Sequence, residues 1–429
     1  MTMKEMNGQD AIFSQVSVIG LGYIGLPTAA VLAARKIHVL GVDINQQVVD
    51  TINSGAVHFV EPELDMLVHA TVTEGYLRAT RTLEPADVFI ITVPTPFKEH
   101  HQPDLSYIKA AAHSIAPVLK KGDLVILEST SPVGATEQMT SWLAEARLDL
   151  SFPQTHGEAS DIRIAYCPER VMPGHVIHEL VHNDRIIGGM TPKCSARAMQ
   201  LYKLFVDGEC LITNTRTAEM CKLTENSYRD VNIAFANELS IICDKLDINV
   251  WELIRLANHH PRVNILKPGP GVGGHCIAVD PWFIVSQAPE EARLIRMARE
   301  VNDGKPEWVV NKVHQLIEDF LQSNSKKLLS DIVIVCLGLA FKADIDDLRE
   351  SPALEITREI AKNHPGPVYA VEPNISFLPH DLENQVQLCS LLDAMAEADI
   401  VLKLVNHREF NEIKKTDHIK SFFIDVSQS

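Results

Sequence analysis

The segment PGPGVGGHCIAVDP, residues 268–281, places a single thiol, Cys276, in a run of glycine and proline. Such a run predicts a loop whose backbone takes special angles. A thiol that attacks an electrophile needs an unobstructed approach, and backbone amides beside it stabilise an oxyanion. The loop, which also carries His275 and Asp280, therefore makes Cys276 a candidate nucleophile. An inert small hydrophobe is the alternative, since most lone cysteines are of that kind.

A glycine motif near the N-terminus predicts a dinucleotide site. Gly20, Gly22 and Gly25 form G-x-G-x-x-G after the apolar run VSVI, and Asp43 follows 18 residues beyond Gly25. The glycines permit a tight turn, close approach of a pyrophosphate, and packing of a helix on the strand. Asp43 accepts ribose hydroxyls and repels a 2′-phosphate, which favours NAD over NADP. A glycine-rich turn without a ligand is the alternative. The other residues of the turn that we expect to contact the cofactor are Tyr23 and Ile24.

Two polar loops follow apolar runs that are typical of strands. VPTP covers residues 93–96, and ESTSPVG covers residues 128–134. In open α/β sheets, ligands bind at the carboxyl ends of the strands. Thr95 and Thr130 are therefore candidates for contacting the cofactor or holding a water. Ordinary turn chemistry explains each threonine equally well.

Three polar residues share one face of a predicted long helix. Residues 217–246 contain no proline or glycine, which predicts one continuous helix. Lys222, Asn226 and Arg229 then stand at i, i+4 and i+7 on one face. A solvated helix surface gives the same pattern. A location between two α/β regions favours a substrate-binding face instead, and the pattern alone does not decide.

Strands and helices alternate along most of the chain, which predicts a doubly wound parallel sheet. Residues from about 195 to 325 are mainly helical in pattern, and strands return after Ser325 in DIVIVCLGLAF, PVYAVEP, DIVLKLV and FFIDV. We predict an α/β fold with two Rossmann-like doubly wound parallel-sheet domains joined by a helical central region with one long helix. The predicted domains are 1–200, 201–325 and 326–429.

Composition restricts the class of protein. The net charge of −17 argues against a nucleic-acid partner. None of the eight cysteines forms a C-x-x-C pair, so no metal site is predicted. The N-terminal segment lacks a signal-peptide pattern, and no run of about 18 apolar residues occurs to span a membrane. We expect a cytoplasmic protein with reduced thiols and no membrane partner.

The sequence resembles the UDP-glucose/GDP-mannose dehydrogenase family from Val16 to about Val426. The resemblance rests on GLGYIGLP, VPTP, STSPVG, CPER, AEMCKLTENSYRDVNIAFANE, GPGVGGHCIAVDP and GLAFKADIDDLRESPA. It implies oxidation of a sugar C6 alcohol to a carboxylate with two NAD. It also implies one role for each domain. The first domain binds NAD, the second forms the dimer and contributes catalytic residues, and the third binds the UDP-sugar.

The same resemblance implies roles for individual residues. Cys276 matches the family nucleophile, and Lys222 matches the lysine that stabilises the alkoxide or accepts its proton. Asn226 matches a donor to the C6 oxygen, and Asp280 matches a carboxylate that orients a water or the lysine. Glu169, in the PE motif, matches the acid linked to thioester hydrolysis.

Further positions match cofactor and substrate contacts. Thr130 is expected to help hold the hydrolytic water, and Arg349 to reach the NAD pyrophosphate. Arg262 matches a residue that reaches the site of a neighbouring subunit, so a homodimer or higher homo-oligomer is expected. The positions that match UDP-sugar contacts are Arg170, Val171, Lys222, Asn226, Arg229, His260, Arg262, Gly273, Phe341 and Lys342.

One position departs from the UDP-glucose enzymes, which have a second glutamate where this chain has Pro173. CPERVMPG and NHHPRVNILKPGPGVGGHCIAVDPWF resemble the branch that oxidises UDP-N-acetyl-D-mannosamine for enterobacterial common antigen, a surface polysaccharide. The expected reaction proceeds through a cysteine thiohemiacetal and thioester. The alternatives are a UDP-N-acetylglucosamine or UDP-glucose 6-dehydrogenase, a single-step dehydrogenase, and a non-catalytic nucleotide-sugar sensor.

Overall fold

The computed structural model describes residues 13–172, 174–274, 276–411, 413 and 422–427. Pro173 and His275, which the sequence singled out, lie outside the described residues. The chain forms two compact units that divide between Thr224 and Glu225. Each unit is described separately below.

The described residues of the first unit form an eight-stranded sheet of order β3-β2-β1-β4-β5-β6-β7-β8. The strands are β1 (Gln15–Ile19), β2 (His38–Val42), β3 (Leu77–Thr80), β4 (Val88–Ile91), β5 (Leu124–Leu127), β6 (Arg163–Tyr166), β7 (Arg185–Gly189) and β8 (Cys210–Asn214). The α-helices between them are α1 (Gly25–Ala34), α2 (Gln46–Asn53), α3 (Leu64–Thr73), α4 (Ser106–Ile115), α5 (Ala135–Ala146), α6 (Pro153–His156), α7 (Val176–His182) and α8 (Pro192–Tyr202).

Both faces of this sheet are buried, as a doubly wound fold requires. Along β4, Val88 and Ile90 belong to one hydrophobic cluster, whereas Phe89 and Ile91 belong to another. Alternate residues of a strand point to opposite faces, so apolar layers cover the sheet on both sides. The predicted doubly wound α/β fold is therefore confirmed.

The direction of β7 differs from the expectation of a purely parallel sheet. β7 pairs with β6 in antiparallel fashion, with Ala165 opposite Gly189. β8 then pairs parallel to β7 and lies beyond residue 200, so the sheet continues past that position. A strand, a helix and a strand usually form a parallel right-handed unit, and α7 made that arrangement the natural expectation.

The second unit begins within a long helix, α9 (Thr215–Lys245), which confirms the continuous helix predicted for residues 217–246. Three more helices precede its sheet: α10 (Val250–Ala257), α11 (Asp280–Gln287) and α12 (Arg293–Ser323). The helical central region is thus present as predicted. Pro306 lies inside α12 without ending it.

The described part of the second unit contains a five-stranded parallel sheet of order β11-β10-β9-β12-β13. Its strands are β9 (Ile334–Leu337), β10 (Val368–Val371), β11 (Gln387–Leu388), β12 (Ile400–Lys403) and β13 (Phe422–Asp425). Its helices are α13 (Pro352–Asn363) and α14 (Leu391–Glu397). The second Rossmann-like sheet is therefore confirmed. Among the described residues, no helix is long and apolar enough to cross a membrane.

Candidate active site

The glycine turn after β1 has the geometry of a dinucleotide cradle. Gly20 adopts φ +92°, and a Cβ there would lie 2.8 Å from the carbonyl oxygen of Thr92. A Cβ on Gly25 would lie 1.8 Å from the carbonyl oxygen of Gly20, so α1 packs directly on the turn. A Cβ on Gly22 would instead enter open space. The three glycines thus serve a tight turn, helix packing and an open backbone surface that fits a pyrophosphate.

Asp43 stabilises this turn from the end of β2. One carboxylate oxygen accepts a hydrogen bond from the Leu21 amide at 2.9 Å, and the other accepts from the Asn45 amide at 2.9 Å. The carboxylate is half-buried, and each oxygen has more than one lone pair. Its position at the end of the second strand fits the ribose of NAD, whose nicotinamide accepts a hydride when bound.

Hydroxyl groups join the two polar loops beyond β4 and β5. Thr95 Oγ1 donates to the Thr130 carbonyl at 2.6 Å, and Ser129 Oγ donates to the Val93 carbonyl at 2.7 Å. Thr95 is buried, so its hydroxyl serves loop structure, whereas Thr130 is half-buried. Sequence patterns left loop structure and cofactor contact open for both threonines; the geometry favours the structural role for Thr95.

Lys222 and Glu169 meet in the first unit through a backbone group. Lys222 Nζ donates to the carbonyl oxygen of Glu169 at 2.7 Å. The Glu169 carboxylate accepts from Arg185 Nη1 at 2.6 Å and from the Arg170 amide at 2.6 Å. The lysine is therefore positioned by the main chain of the CPER segment, while the carboxylate pairs with an arginine that the sequence did not single out.

Glu219, one turn before Lys222 on α9, was also missed. This fully buried carboxylate accepts hydrogen bonds from the amides of Gly134 and Thr136 and from the Thr136 hydroxyl. It thereby caps the start of α5 and attaches the ESTSPVG loop to the helix of Lys222. A glutamate on an otherwise polar helix face gives no sequence signal of such a role.

Cys276, Asp280 and Asn226 are brought together in the second unit. The Cys276 carbonyl accepts from the Asp280 amide at 2.9 Å, which places the thiol residue one turn before α11. Asp280 is buried, and its carboxylate accepts from the Asn226 side-chain amide. Cys276 is exposed. Lys222 and Asn226 are one helical turn apart on α9, and the assignment of their face to the site stays a prediction.

The glycines before Cys276 allow close packing of two loops. A Cβ on Gly273 would lie 2.4 Å from the Glu350 carbonyl oxygen, and one on Gly274 would lie 2.8 Å from the Phe341 ring. Gly274 also adopts φ +81° and donates its amide to the Arg349 carbonyl at 3.2 Å. That the glycines of this loop also clear space for an approaching substrate stays a prediction; Gly273 and Gly274 clear space for the segment that contains Phe341.

The remaining predicted substrate and cofactor residues are placed as follows. Exposed side chains within the second unit are Arg229, His260, Arg262, Lys342 and Arg349. Arg349 forms a two-bond ion pair with Asp347. Arg170 donates to the Asp184 carbonyl at 3.1 Å, and Val171 packs against the core of the first unit. The exposed arginine and lysine side chains of this set could bind an anionic ligand. Among the described residues, no cluster of side chains would bind a metal ion.

A buried pair that the sequence did not indicate supports the loop after β9. Glu372, at the end of β10, accepts from the Leu339 and Ala340 amides at 2.8 and 3.0 Å. His407 Nδ1 accepts from the Asp344 amide, so its Nε2 carries the proton and donates to Glu372 at 2.9 Å. The loop that presents Phe341 and Lys342 is thus fixed at both ends.

A glycine turn of this geometry on a doubly wound sheet, with an acid at the end of the second strand, is the arrangement of an NAD-binding domain. The chain belongs to the UDP-glucose/GDP-mannose dehydrogenase family. It matches the family's NAD binding domain over residues 14–206, its central domain over 216–304 and its UDP binding domain over 335–428. It is an enzyme of the NAD-dependent dehydrogenase class.

Individual relatives cover nearly the whole chain. It is 64% identical over 414 residues to the UDP-N-acetyl-D-mannosamine dehydrogenase of Yersinia pestis, covering 96% of this chain and 98% of that one. It is 63% identical over 412 residues to an NDP-N-acetyl-D-galactosaminuronic acid dehydrogenase of Ralstonia nicotianae, covering 96% and 95%. A solved UDP-D-ManNAc dehydrogenase from Pyrococcus horikoshii is 40% identical, with TM-score 0.84 and coverage of 96% and 95%.

Proposed function

We propose that the protein oxidises the C6 alcohol of UDP-N-acetyl-D-mannosamine to the uronate, with two NAD reduced and one water consumed. The observation that carries the chemistry is the exposed Cys276, whose carbonyl binds the same residue, Asp280, that pairs with Asn226. The names of two relatives, from Yersinia pestis and Pyrococcus horikoshii, support the sugar. The uronate would serve surface polysaccharide synthesis, of which enterobacterial common antigen is the proposed case.

Each chain residue has a defined task in this proposal. Lys222 takes the proton of the C6 hydroxyl, directly or through a water, as a hydride leaves C6. Asn226 donates to the C6 oxygen. The thiolate of Cys276 attacks the aldehyde carbon to form a thiohemiacetal, and loss of a second hydride leaves a thioester. Water oriented by Glu169, Thr130 or Asp280 then cleaves the carbon–sulfur bond and releases the carboxylate.

The identity of the sugar has less support than the two-step oxidation, because the relatives are named for different sugars. The Yersinia pestis and Ralstonia nicotianae proteins are named for different amino sugars at nearly equal identity. Both names contain an N-acetyl group, which favours an acetamido sugar over UDP-glucose. A pocket that pairs an acetamido group discriminates against a bare hydroxyl by about 1–3 kcal/mol per unsatisfied buried group.

A homodimer is the proposed assembly, with Arg262 reaching the site of the second copy. On α9, Tyr228, Phe235 and Ile242 are 69%, 52% and 44% exposed at a spacing of seven residues. An apolar stripe of this length on one helix is typical of a helix–helix interface. We further propose that 1–200 binds NAD, 201–325 dimerises and contributes catalytic residues, and 326–429 binds the UDP-sugar.

The experiment that tests the function counts NADH per sugar with a panel of UDP-sugars. We expect two NADH per UDP-N-acetyl-D-mannosamine, no aldehyde trappable in bulk, and lower kcat/KM with UDP-N-acetylglucosamine, UDP-N-acetylgalactosamine and UDP-glucose. Cys276→Ala should abolish uronate formation and keep NAD binding, whereas the control Cys389→Ala should retain activity. One NADH per sugar would support a single-step dehydrogenase, and no NADH with any sugar would support a sensor. A highest kcat/KM with UDP-glucose would overturn the assignment of the pocket.

A further inference from the structure

Two asparagines of α9 hold the two ends of the loop that carries Cys276. The Asn226 side-chain amide donates to the carboxylate of Asp280, which follows the thiol residue. Asn237 Oδ1 accepts from the amide of Gly269, which precedes the thiol residue, at 2.8 Å. Because the asparagines are three helical turns apart, about 16 Å along the axis, they lie on one face of α9. The loop therefore runs back along this face, in the direction opposite to the helix.

Asn237 is itself fixed by α12 through buried polar side chains. Asn237 Nδ2 donates to Asn302 Oδ1 at 2.9 Å, and Asn302 Nδ2 donates to the Asp230 carboxylate at 2.8 Å. Arg299 Nη1 donates to the same carboxylate at 2.7 Å. We call these four side chains, Asn237, Asn302, Asp230 and Arg299, the Asn237 network. Each is at most 1% exposed, so water does not compete for these bonds.

The partners determine how each amide of the network is oriented. The Gly269 amide can only donate, so Asn237 presents its oxygen to the loop and its nitrogen to Asn302. The Asp230 carboxylate can only accept from Asn302, which leaves the Asn302 oxygen for Asn237. A buried network whose bonds agree in this way favours one arrangement of its elements over all others. The start of the thiol loop is therefore held in one position along α9.

The loop also contacts α12 directly at Gly271. A Cβ on Gly271 would lie 3.2 Å from the Asn302 carbonyl oxygen and 3.0 Å from the side chain of Pro352. Gly271 adopts φ +145°, which glycine tolerates better than other residues. Asn302 thus contacts the loop with its main chain and fixes Asn237 with its side chain. The path of the loop toward Cys276 is set from both helices.

We propose that Asn237 is a positioning residue for Cys276: it fixes the start of the thiol loop so that the thiolate meets the aldehyde carbon at once. This inference rests on the proposed function and concerns its capture step. In that step the sulfur bonds to the aldehyde carbon, and the carbonyl oxygen takes up the proton that left the C6 hydroxyl. A displaced thiol delays the capture but not the first hydride transfer. The aldehyde then has time to leave the site.

Oxidation of UDP-N-acetyl-D-mannosamine by Asn237→Leu in the presence of hydroxylamine, which traps aldehydes, tests this inference. Leucine is similar in size to asparagine and removes both hydrogen bonds. The first hydride transfer in a single turnover should stay within about threefold of the parent, whereas the second should slow by about tenfold or more. The variant should release trapped aldehyde with between one and two NADH per sugar, and KM should change little. The parent should give two NADH and no trapped aldehyde.

Two further variants of α9 separate positioning from stability. Asn237→Asp keeps an oxygen for the Gly269 amide and should release less aldehyde than Asn237→Leu. Ser240→Ala is the matched control, because the Ser240 hydroxyl, also buried between α9 and α12, donates to the Asn237 carbonyl at 2.6 Å and accepts from Lys305. It should release no aldehyde. If Asn237→Leu fails to fold by thermal melting, Asn237→Ser replaces it, since a side chain one bond shorter cannot reach both partners.

Three results would overturn the inference while the proposed function stands. One is a second hydride transfer at the parent rate with no trapped aldehyde in Asn237→Leu or its serine replacement. Another is equal slowing of the two hydride transfers, and the third is equal release of aldehyde by Ser240→Ala; either would make Asn237 a structural residue only. A parent enzyme that yields one NADH per sugar, or none with any UDP-sugar, would instead refute the proposed function.

Discussion

Glu372 binds the glycine turn of the second sheet in the way that Asp43 binds the turn of the first. Gly338 and Gly20 adopt φ +91° and +92°, and each donates its amide to the last residue of the neighbouring strand, at 2.9 and 2.8 Å. The amide that follows each glycine donates to the acid, at 2.8 Å for Glu372 and 2.9 Å for Asp43. The acids differ in exposure, since Glu372 is buried and Asp43 is half-buried. Of the two acids, Asp43 is the one exposed enough to reach a ribose.

Asp43 should determine the preference for NAD over NADP. We expect the parent to discriminate against NADP by about 2–4 kcal/mol, through charge repulsion and the loss of ribose hydrogen bonds. Asp43→Asn should lower kcat/KM with NAD and narrow the ratio between the two cofactors. The ratio of kcat/KM values measures this. Equal efficiency of the parent with both cofactors would contradict the role.

Glu372 should stabilise the second sheet at neutral pH and lose this effect in acid. Burial alone would raise the pKa of Glu372, but the bonds from His407 and from the Leu339 and Ala340 amides outweigh it and lower the pKa to about 2. A lowered pKa contributes stability that is present above the ordinary value of 4.5 and is lost as pH falls through about 2.

Glu372→Gln should therefore reduce the free energy of unfolding by about 2–3 kcal/mol at pH 7 and by much less at pH 3. Urea unfolding at the two pH values is the measurement. Glu397→Gln, an exposed glutamate of the same unit, should show no such pH dependence. An equal loss at both pH values would indicate that the charge of Glu372 contributes nothing.

The charge of Lys305 should destabilise the folded protein, whereas that of Glu372 stabilises it, because the Lys305 ammonium is buried. Burial lowers the pKa of Lys305 to about 7, an effect that Asp244 opposes. Below pH 7 the folded protein contains a buried charge; between about 7 and 10.5 the folded state loses this proton and stability rises with pH. Lys305→Met should raise the free energy of unfolding at pH 6 by a few kcal/mol and change it little at pH 10. A stabilisation independent of pH would assign the effect to packing against Trp308.

Glu128 should destabilise the fold as the solution becomes basic. Its pKa is raised to about 8, chiefly by burial, so the folded state favours the protonated acid. The contribution of this group to stability is then full below the ordinary value of 4.5 and is lost as pH rises through about 8. Glu128→Gln should remove this decline, and the difference in unfolding free energy between variant and parent should grow from pH 5 to pH 8. Exposed Glu145→Gln is the control; an identical pH profile of parent and Glu128→Gln would disprove the shift.

Much of the fold was predictable because it follows from local patterns. The glycine spacing and Asp43 predicted the first turn, and apolar runs predicted the central strands of both sheets. β3 and β8 were missed because they are edge strands: β8 exposes Leu211 and Ile212 and lacks the apolar signal of a buried strand. The direction of β7 is a tertiary property that no pattern of strand and helix encodes.

The site was predictable only where a family motif names its residues. Cys276, Asp280 and Asn226 lie in such motifs, and the structure joins them. Arg185 and Glu128 were not predictable, because their significance depends on a contact between two buried side chains that are 57 residues apart in the sequence. A lone arginine at the start of an apolar run resembles an ordinary strand end, and only the folded sheet gives it a partner.

The distribution of buried and exposed thiols allows the folded fraction of a preparation to be measured by thiol labelling. Cys276 is exposed, three cysteines are half-buried and four are buried. Burial raises the pKa of Cys167 and raises that of Cys336 to about 12, so these thiols hardly ionise in the folded chain. A brief exposure to a thiolate-specific reagent should therefore label fewer positions in the native chain, with Cys276 first, than in the unfolded chain, where all eight thiols react. The mean number of labels per chain then reads out the folded fraction of a preparation without any substrate.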